Sequence, residues 1–247
     1  MQDAVVLMAK APVPGRVKTR LCPPLSPVEA ARLYSCMLGD TAQEIASLAR
    51  VSRFLFLDPP GAADVLRGSP FSAFERFPQR GKDLGEKMGN AAATVFRRGA
   101  RRVVIAGGDC PYLSANRVRQ AFRELRGGAA AVFGPSEDGG YYLVGLAGPD
   151  ERPFRNIAWG TPEVLRETAA RCREAGIPFS FLPPGRDVDT GGDLNALAEW
   201  AGAHPAPGCP RTRGWISGFF GTAGGGSPGR PARTPGPPRD SRSRRAG

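Results

Sequence analysis

The sequence predicts an α/β domain built on a mostly parallel sheet. Three observations carry this reading. Short apolar runs recur over residues 1–204, amphipathic stretches of helical spacing separate them, and several of those stretches open on capping residues. Val5-Val6-Leu7-Met8 is a short buried-strand pattern. After a Pro/Gly loop, Ser26-Pro27-Val28-Glu29 opens a helix, with serine at the N-cap, proline in the first turn and glutamate completing a capping box. Its apolar stripe is Tyr34, Met37, Leu38, Thr41, Ile45 and Leu48. Val51 to Leu57 reads as the next strand, closed by Asp58-Pro59-Pro60-Gly61.

Asp83-Leu84-Gly85-Glu86 repeats the capping pattern ahead of Met88, Ala91, Ala92, Val95 and Phe96. Val103 to Ala106 is a fully buried strand, and Ser114 caps a helix carrying Val118, Ala121, Phe122 and Leu125. Ala129 to Phe133 and Tyr141 to Leu146 are strands. Thr161-Pro162-Glu163 starts a helix that ends at Gly176, Phe179 to Leu182 is a late strand, and Asp193 to Trp200 a final helix. Strands alternating with helices build βαβ units, so the sheet is mostly parallel.

Composition removes several function classes. With 247 residues, 41% hydrophobic and 23% charged, the chain reads as a soluble globule. No apolar run approaches the ~18 residues that span a bilayer, and MQDAVVLMAK is too short and too acidic at Asp3 for a secretory signal. Cys22, Cys36, Cys110, Cys172 and Cys209 are odd in number and scattered, without a CxxC pair, and His204 is the sole histidine. Thiolate or imidazole zinc sites and Ser-His-Asp or Cys-His catalysis are thereby disfavoured, and a reducing cytoplasm is expected.

The formal charge of +11 points toward nucleic acid until it is divided along the chain. Residues 205–247 hold eight arginines and one aspartate, with ten glycines and eight prolines. The expected organisation is a domain over 1–204 and a disordered Arg/Pro/Gly-rich tail over 205–247, which buries too little apolar surface to offset ordering entropy. Trp215, Ile216, Phe219 and Phe220 are its one apolar cluster. A nucleic-acid-binding role for that tail is the competing functional class.

In an open parallel sheet, ligands bind beyond the carboxyl ends of the strands, so the loops after the apolar runs are where chemistry is expected. After the first strand, Ala9 to Leu21 holds Lys10, Arg16, Lys18 and Arg20 without an acid, bent by Pro12, Pro14 and Gly15. Point charges and loop amides suit a polyphosphate. The Gly-Lys-Thr adjacency of a Walker A loop is missing. Gly107-Gly108-Asp109 places a carboxylate at a strand end, either as a ligand for a hard cation or as a turn cap. Ser136 to Tyr142 offers Glu137, Asp138, Gly139, Gly140 and Tyr141 to a polar acceptor, although a plain hairpin turn explains Asp138-Gly139 equally well. Asp189 is either a second carboxylate on the same cation or the N-cap of the last helix.

Taken in order, AKAPVPGRVKTRL, QRGKDLGEKM, GGDCPYLS, GPSEDGGYYLVGL, WGTPEVL and DVDTGGDL resemble the DUF2064 family, also described as selenodomain-associated transferases or arsenosugar-biosynthesis-type glycosyltransferases. The resemblance spans roughly residues 4–200. It implies a Rossmann-like GT-A fold of the nucleotide-diphospho-sugar transferases, with more distant similarity to guanylyltransferases. By that resemblance Ala9, Lys10, Pro12, Gly15, Arg16, Lys18, Thr19 and Arg20, with Gln79, Asp83 and Gly108, hold the nucleotide, and Asp109 and Asp189 hold Mg²⁺ or Mn²⁺. Tyr112 stands where family members usually carry aspartate, and Gly191-Gly192 where they carry Pro-Glu, which weakens the start of the last helix.

The expected activity is metal-assisted transfer from a nucleotide-activated donor to a small acceptor, most simply of a glycosyl group. Nucleotidyl transfer with release of pyrophosphate is the alternative. Lys18 and Asp109 are the candidate catalytic groups, and Asp138 or Glu137 the candidate base or acceptor orienter.

Overall fold

The computed structural model describes residues 3–59, 66, 68–203 and 209–223, the side chains of the last two aside. Its elements run β1 (Asp3–Lys10), α1 (Pro27–Ala46), β2 (Val51–Asp58), β3 (Glu75–Pro78), α2 (Leu84–Arg97), β4 (Arg102–Gly107), α3 (Ala115–Arg126), β5 (Ala131–Pro135), β6 (Tyr141–Leu146), α4 (Val164–Glu174), β7 (Phe179–Phe181), α5 (Gly191–Ala203) and α6 (Pro210–Ala223). Single 3₁₀ turns occupy Thr19–Leu21, Phe71–Ala73 and Arg152–Phe154.

Seven strands form one sheet in the order β3-β2-β1-β4-β6-β5-β7. β6 alone runs antiparallel to its neighbours β4 and β5, and the remaining pairs are parallel. The α/β architecture with a mostly parallel sheet is therefore present. β1 sits near the middle and is buried from Asp3 to Ala9, because helices cover both faces. Val5, Leu7 and Ala9 join a core shared with α1, α3, α5 and α6; Ala4, Val6 and Met8 join one shared with α2 and α4. The period-2 alternation of the strand divides the two cores. At its N-terminal end the buried Asp3 carboxylate pairs with Arg102 at 2.7 Å and with Arg126.

Local signals place α1, α2 and α3 as the sequence predicts. Ser26 accepts the Glu29 amide at 3.3 Å while Glu29 accepts the Ser26 amide at 2.7 Å, a complete capping box on α1. Asp83 and Ser114 cap α2 and α3 through the Glu86 and Arg117 amides. β3 was not among the predicted strands. It is four residues long, ends in Pro78 at the sheet edge, and is held by stacking of Phe77 on Phe56 at 5.2 Å.

The reading of 205–247 as a disordered tail is corrected for its first part: residues 210–223 form α6, packed against α1 and α5. The reason is Asp40. Its carboxylate, 2% exposed in mid-α1, accepts the Arg211 amide at 3.1 Å and the Thr212 amide at 2.8 Å, capping α6 from outside. Ile216 is buried against α1, and Trp215 stacks on Phe219 at 5.1 Å. Residues 204–208 and 224–247, most of that expected tail, lie outside the described residues.

Candidate active site

The carboxyl ends of β1 and β4 and the amino end of β6 open into a cleft of about 670 Å³. Of the residues predicted to form the site, Ala9, Lys10, Arg16, Lys18, Thr19, Arg20, Gln79, Gly108, Asp109, Asp138, Gly140, Tyr141 and Asp189 line it. Pro12, Gly15, Asp83, Glu137 and Gly139 do not. Gly15, at φ 75°, turns the first loop, and a Cβ there meets nothing. Asp83 spends its carboxylate on the α2 cap rather than on a ligand. Glu137 is turned outward into an ion pair with Arg186 at 2.6 Å. Gly139, at φ 88°, makes room for the Pro162 carbonyl, which a Cβ would approach to 2.0 Å.

Lys18 is the centre of the polar end. Its Nζ donates to Asp109 Oδ2 at 2.9 Å and to Asp189 Oδ1 at 2.6 Å, with its side chain 5% exposed and the two carboxylates 41% and 39% exposed. Lys18 adopts left-handed backbone, φ 49° and ψ 37°, at the start of the 3₁₀ turn. Burial pulls its pKa down, but the charges of Asp109 and Asp189 and their hydrogen bonds outweigh that and hold it above the ordinary lysine range. Burial likewise opposes ionisation of Asp109, and the Lys18 ammonium more than compensates, so its carboxyl stays below the usual range. Arg20 reaches Asp189 at 3.3 Å from the solvent side.

Asp109 follows β4 directly, and two glycines fit it into the turn. A Cβ on Gly107 would meet Asp109 Oδ1 at 2.8 Å, and one on Gly108 would meet Leu38 Cδ1 at 2.5 Å. Gly108 is thus small because α1 packs against it. Asp189 is not the cap of α5. Thr190 fills that position, its hydroxyl and backbone amide donating to Asp193 Oδ2 at 2.7 and 2.8 Å while the Asp193 amide donates back at 3.3 Å. This reciprocal cap offsets the weak helix start expected of Gly191-Gly192. Tyr112 turns edge-on to Trp200, ring centroids 4.9 Å apart, on the α5 side of the β4 loop.

Asp187, the first residue of the DVDTGGDL stretch, is a cleft residue to which the sequence alone assigns no role. It lines the cleft two residues before Asp189, with the fully buried Val188 between them. Its Oδ1 is buried without a hydrogen-bond partner among the described residues. Burial, then the negative charge of Asp109, push its pKa up to about 8. The carboxylate–apolar–carboxylate spacing of Asp187, Val188 and Asp189 was the available signal.

At the β5–β6 turn, Asp138 Oδ1 takes the Gly140 amide at 3.0 Å and the Ser136 hydroxyl, so the hairpin turn anticipated at Asp138-Gly139 is real and still presents Asp138 to the cleft. Tyr141 contributes an aromatic wall, its hydroxyl buried and its pKa raised by that burial. Trp159 stands edge-on to it at 6.3 Å and packs on Gly85, where a Cβ would approach the indole to 2.6 Å. Beside β1 and β2, Gln79 Nε2 donates to the Ala9 and Phe56 carbonyls at 2.8 and 3.0 Å. Carbonyls only accept, so the amide nitrogen must face them and Oε1 must face away.

The donor set fits a hard divalent cation. Asp109 and Asp189 supply carboxylate oxygens close enough to share one ammonium, and Asp187 adds a buried, unpartnered oxygen nearby. Among the described residues no three His, Cys, Asp or Glu side chains converge as a ready ligand set. Two carboxylates with phosphate and water oxygens are what Mg²⁺ ordinarily takes. No described helix is long and apolar enough to cross a membrane, and all five cysteines are free.

The model of the DUF2064 family, described as an uncharacterized protein conserved in bacteria, matches residues 41–161. A candidate nucleotide-diphospho-sugar transferase from Desulfovibrio desulfuricans G20 is 32% identical, with 80% of this chain and 87% of that chain covered and a TM-score of 0.73. Lower identity marks a likeness of fold alone. CMP:2-keto-3-deoxy-manno-octonic acid synthetase complexed with CTP has 15% identity, coverage of 82% and 100%, and a TM-score of 0.52. A cytidylyltransferase from Leptospira borgpetersenii has 11% identity, coverage of 91% and 95%, and a TM-score of 0.52. The search of curated proteins returns no match. Motif order, fold and the 32% identity over four-fifths of its length agree: the chain belongs to the DUF2064 family.

Proposed function

We propose that this protein is a nucleotide-utilising transferase that moves a glycosyl group from a nucleotide-diphospho-sugar to a small acceptor. The observation that carries the reading is the meeting of Lys18, Asp109 and Asp189 beneath a basic loop at the carboxyl end of the sheet. Lys10, Arg16 and Arg20 stand exposed around the same cleft, and the side chains of Lys10 and Arg16 make no ion pair among the described residues. Free cations beside loop amides suit diphosphate oxygens.

In this reading the first loop binds the phosphates, and Lys18 and Arg20 offset the negative charge that develops on the departing nucleoside diphosphate. Asp109 and Asp189 would hold Mg²⁺ or Mn²⁺, which would supply Lewis-acid stabilisation of that charge. Gln79, Leu84 and Met88 border the end suited to a base, with a fixed acceptor oxygen beside apolar surface. Asp138 faces the other end, where it orients the acceptor hydroxyl and takes up its proton. Tyr141 and Trp159 restrict water there. We place the protein in the cytoplasm on its five unpaired cysteines.

Nucleotidyl transfer is the second reading, and one observation favours it. Three exposed cations around the cleft are more charge than a diphosphate alone requires, and they suit a triphosphate from which pyrophosphate leaves. The shared test is Asp109→Asn assayed against nucleotide sugars and nucleoside triphosphates with Mn²⁺. Loss of turnover with retained fold supports the site; undiminished turnover overturns it. Which donor is consumed by the unaltered protein separates the two readings.

A further inference from the structure

We propose that Lys18 is the resting counter-ion of the divalent-cation site, holding Asp109 and Asp189 closed to a free ion until a polyphosphate draws its ammonium away. The geometry is specific. One Nζ satisfies both carboxylates, at 2.9 and 2.6 Å, from a side chain only 5% exposed. Its backbone is left-handed at φ 49°, which a lysine adopts at a cost and which the flanking turn imposes: the Leu21 amide donates to the Lys18 carbonyl at 3.0 Å. The loop therefore delivers this ammonium to this place rather than letting it swing freely.

An ion arriving alone must break two charge-assisted hydrogen bonds and leave a buried ammonium beside a dication. Mg²⁺ binds oxygen at ~2.0–2.1 Å, so the ion and the ammonium cannot both occupy the space between the two carboxylates. A bound polyphosphate changes the balance by offering Lys18 new anionic oxygens. Arg20, already 3.3 Å from Asp189, retains an attachment on that side as Lys18 leaves. Ion and polyphosphate are thereby coupled, each favouring the other by the same factor. The release half of this account rests on the polyphosphate reading given above; the exclusion half does not.

The experiment titrates Mn²⁺ alone into metal-free protein, reading free Mn²⁺ by electron paramagnetic resonance, for the unaltered chain, Lys18→Gln, Lys18→Met and the double variant Lys18→Gln/Asp189→Asn. Lys18→Gln and Lys18→Met are expected to bind one Mn²⁺ at least tenfold more tightly than the unaltered chain, and the double variant to lose that gain. Equal affinity with and without Lys18, or a gain that survives Asp189→Asn, overturns the proposal. Should the variants fail to fold, ¹⁵N resonance of the lysine ammonium groups reads the unaltered chain directly. Millimolar Mg²⁺ alone leaves the Lys18 signal in place, and Mg²⁺ with inorganic pyrophosphate moves it. Movement by Mg²⁺ alone overturns exclusion. A Lys18 signal unmoved by pyrophosphate with Mg²⁺, alongside tighter Mn²⁺ binding in Lys18→Gln, overturns the polyphosphate reading and leaves exclusion standing.

Discussion

Asp40 Oδ2 accepts the backbone amide of Thr212 at 2.8 Å, joining the middle of α1 to the first turn of α6. The same carboxylate takes the Arg211 amide, and the Arg211 side chain returns along α1 to the Gly39 carbonyl at 3.3 Å. A carboxylate this deeply buried needs such partners, and two amides at a helix N-terminus provide them. Asp40→Ala is expected to release α6 and to cost about 1–2 kcal/mol, the usual range for a lost cap. Urea denaturation reads the cost, and faster proteolysis near Cys209 reads the undocking. Unchanged protection there would contradict the capping role.

Two glycines at positive φ distinguish strain from contact. Gly15→Ala meets open space and is expected to cost about 1 kcal/mol, from backbone conformation alone. Gly139→Ala adds a Cβ 2.0 Å from the Pro162 carbonyl, so the β5–β6 hairpin and the loop before α4 must separate. A cost of about 2–3 kcal/mol is expected there, with weaker acceptor binding as well. Thermal unfolding of both variants checks the order; equal losses would argue against the contact.

Asp187 sets a pH dependence whose sign follows from its raised pKa. Unfolded, the carboxyl releases its proton near the ordinary aspartate value of 3.8; folded, it holds it to about 8. Between those values the native state binds the extra proton, so stability falls as pH rises. Asp187→Asn remains neutral throughout and removes this slope. In chelator-treated protein, the gain in unfolding temperature from Asp187→Asn is expected to grow between pH 5 and pH 8. A gain independent of pH would contradict the assignment.

The indole of Trp159 rests on Gly85 in the first turn of α2. Gly85→Ala displaces it from the cleft wall, since a Cβ would approach the ring to 2.6 Å. The expected result is a rise in KM for the acceptor with the donor's nucleotide affinity little altered. Tryptophan fluorescence reports the displacement independently of turnover.

What was legible in the sequence was local. Capping residues three apart announced α1 and α2, and apolar runs announced β1 and β4, because those signals are complete within a few residues. The loop from Lys10 to Arg20 was legible for the same reason: its charges follow a strand end directly. β3 and α6 were not. β3 is an edge strand fixed by Phe77 stacking on Phe56, and α6 owes its docking to Asp40, far away in the chain. The outward turn of Glu137 likewise depends on Arg186, which the fold alone brings near. Nor did the spacing of Lys18, Asp109 and Asp189 reveal that one ammonium joins both carboxylates.

On the proposed function, this cleft holds a nucleotide's phosphates together with a divalent cation. Thermal unfolding of the full chain against nucleotides and nucleotide sugars, each with and without Mn²⁺, tests it most directly. A ligand at about one hundred times its Kd adds about 2.7 kcal/mol. A stabilisation that needs ligand and Mn²⁺ together and disappears in Asp109→Asn is the predicted result. Stabilisation equal without Mn²⁺ and undiminished in Asp109→Asn would contradict it.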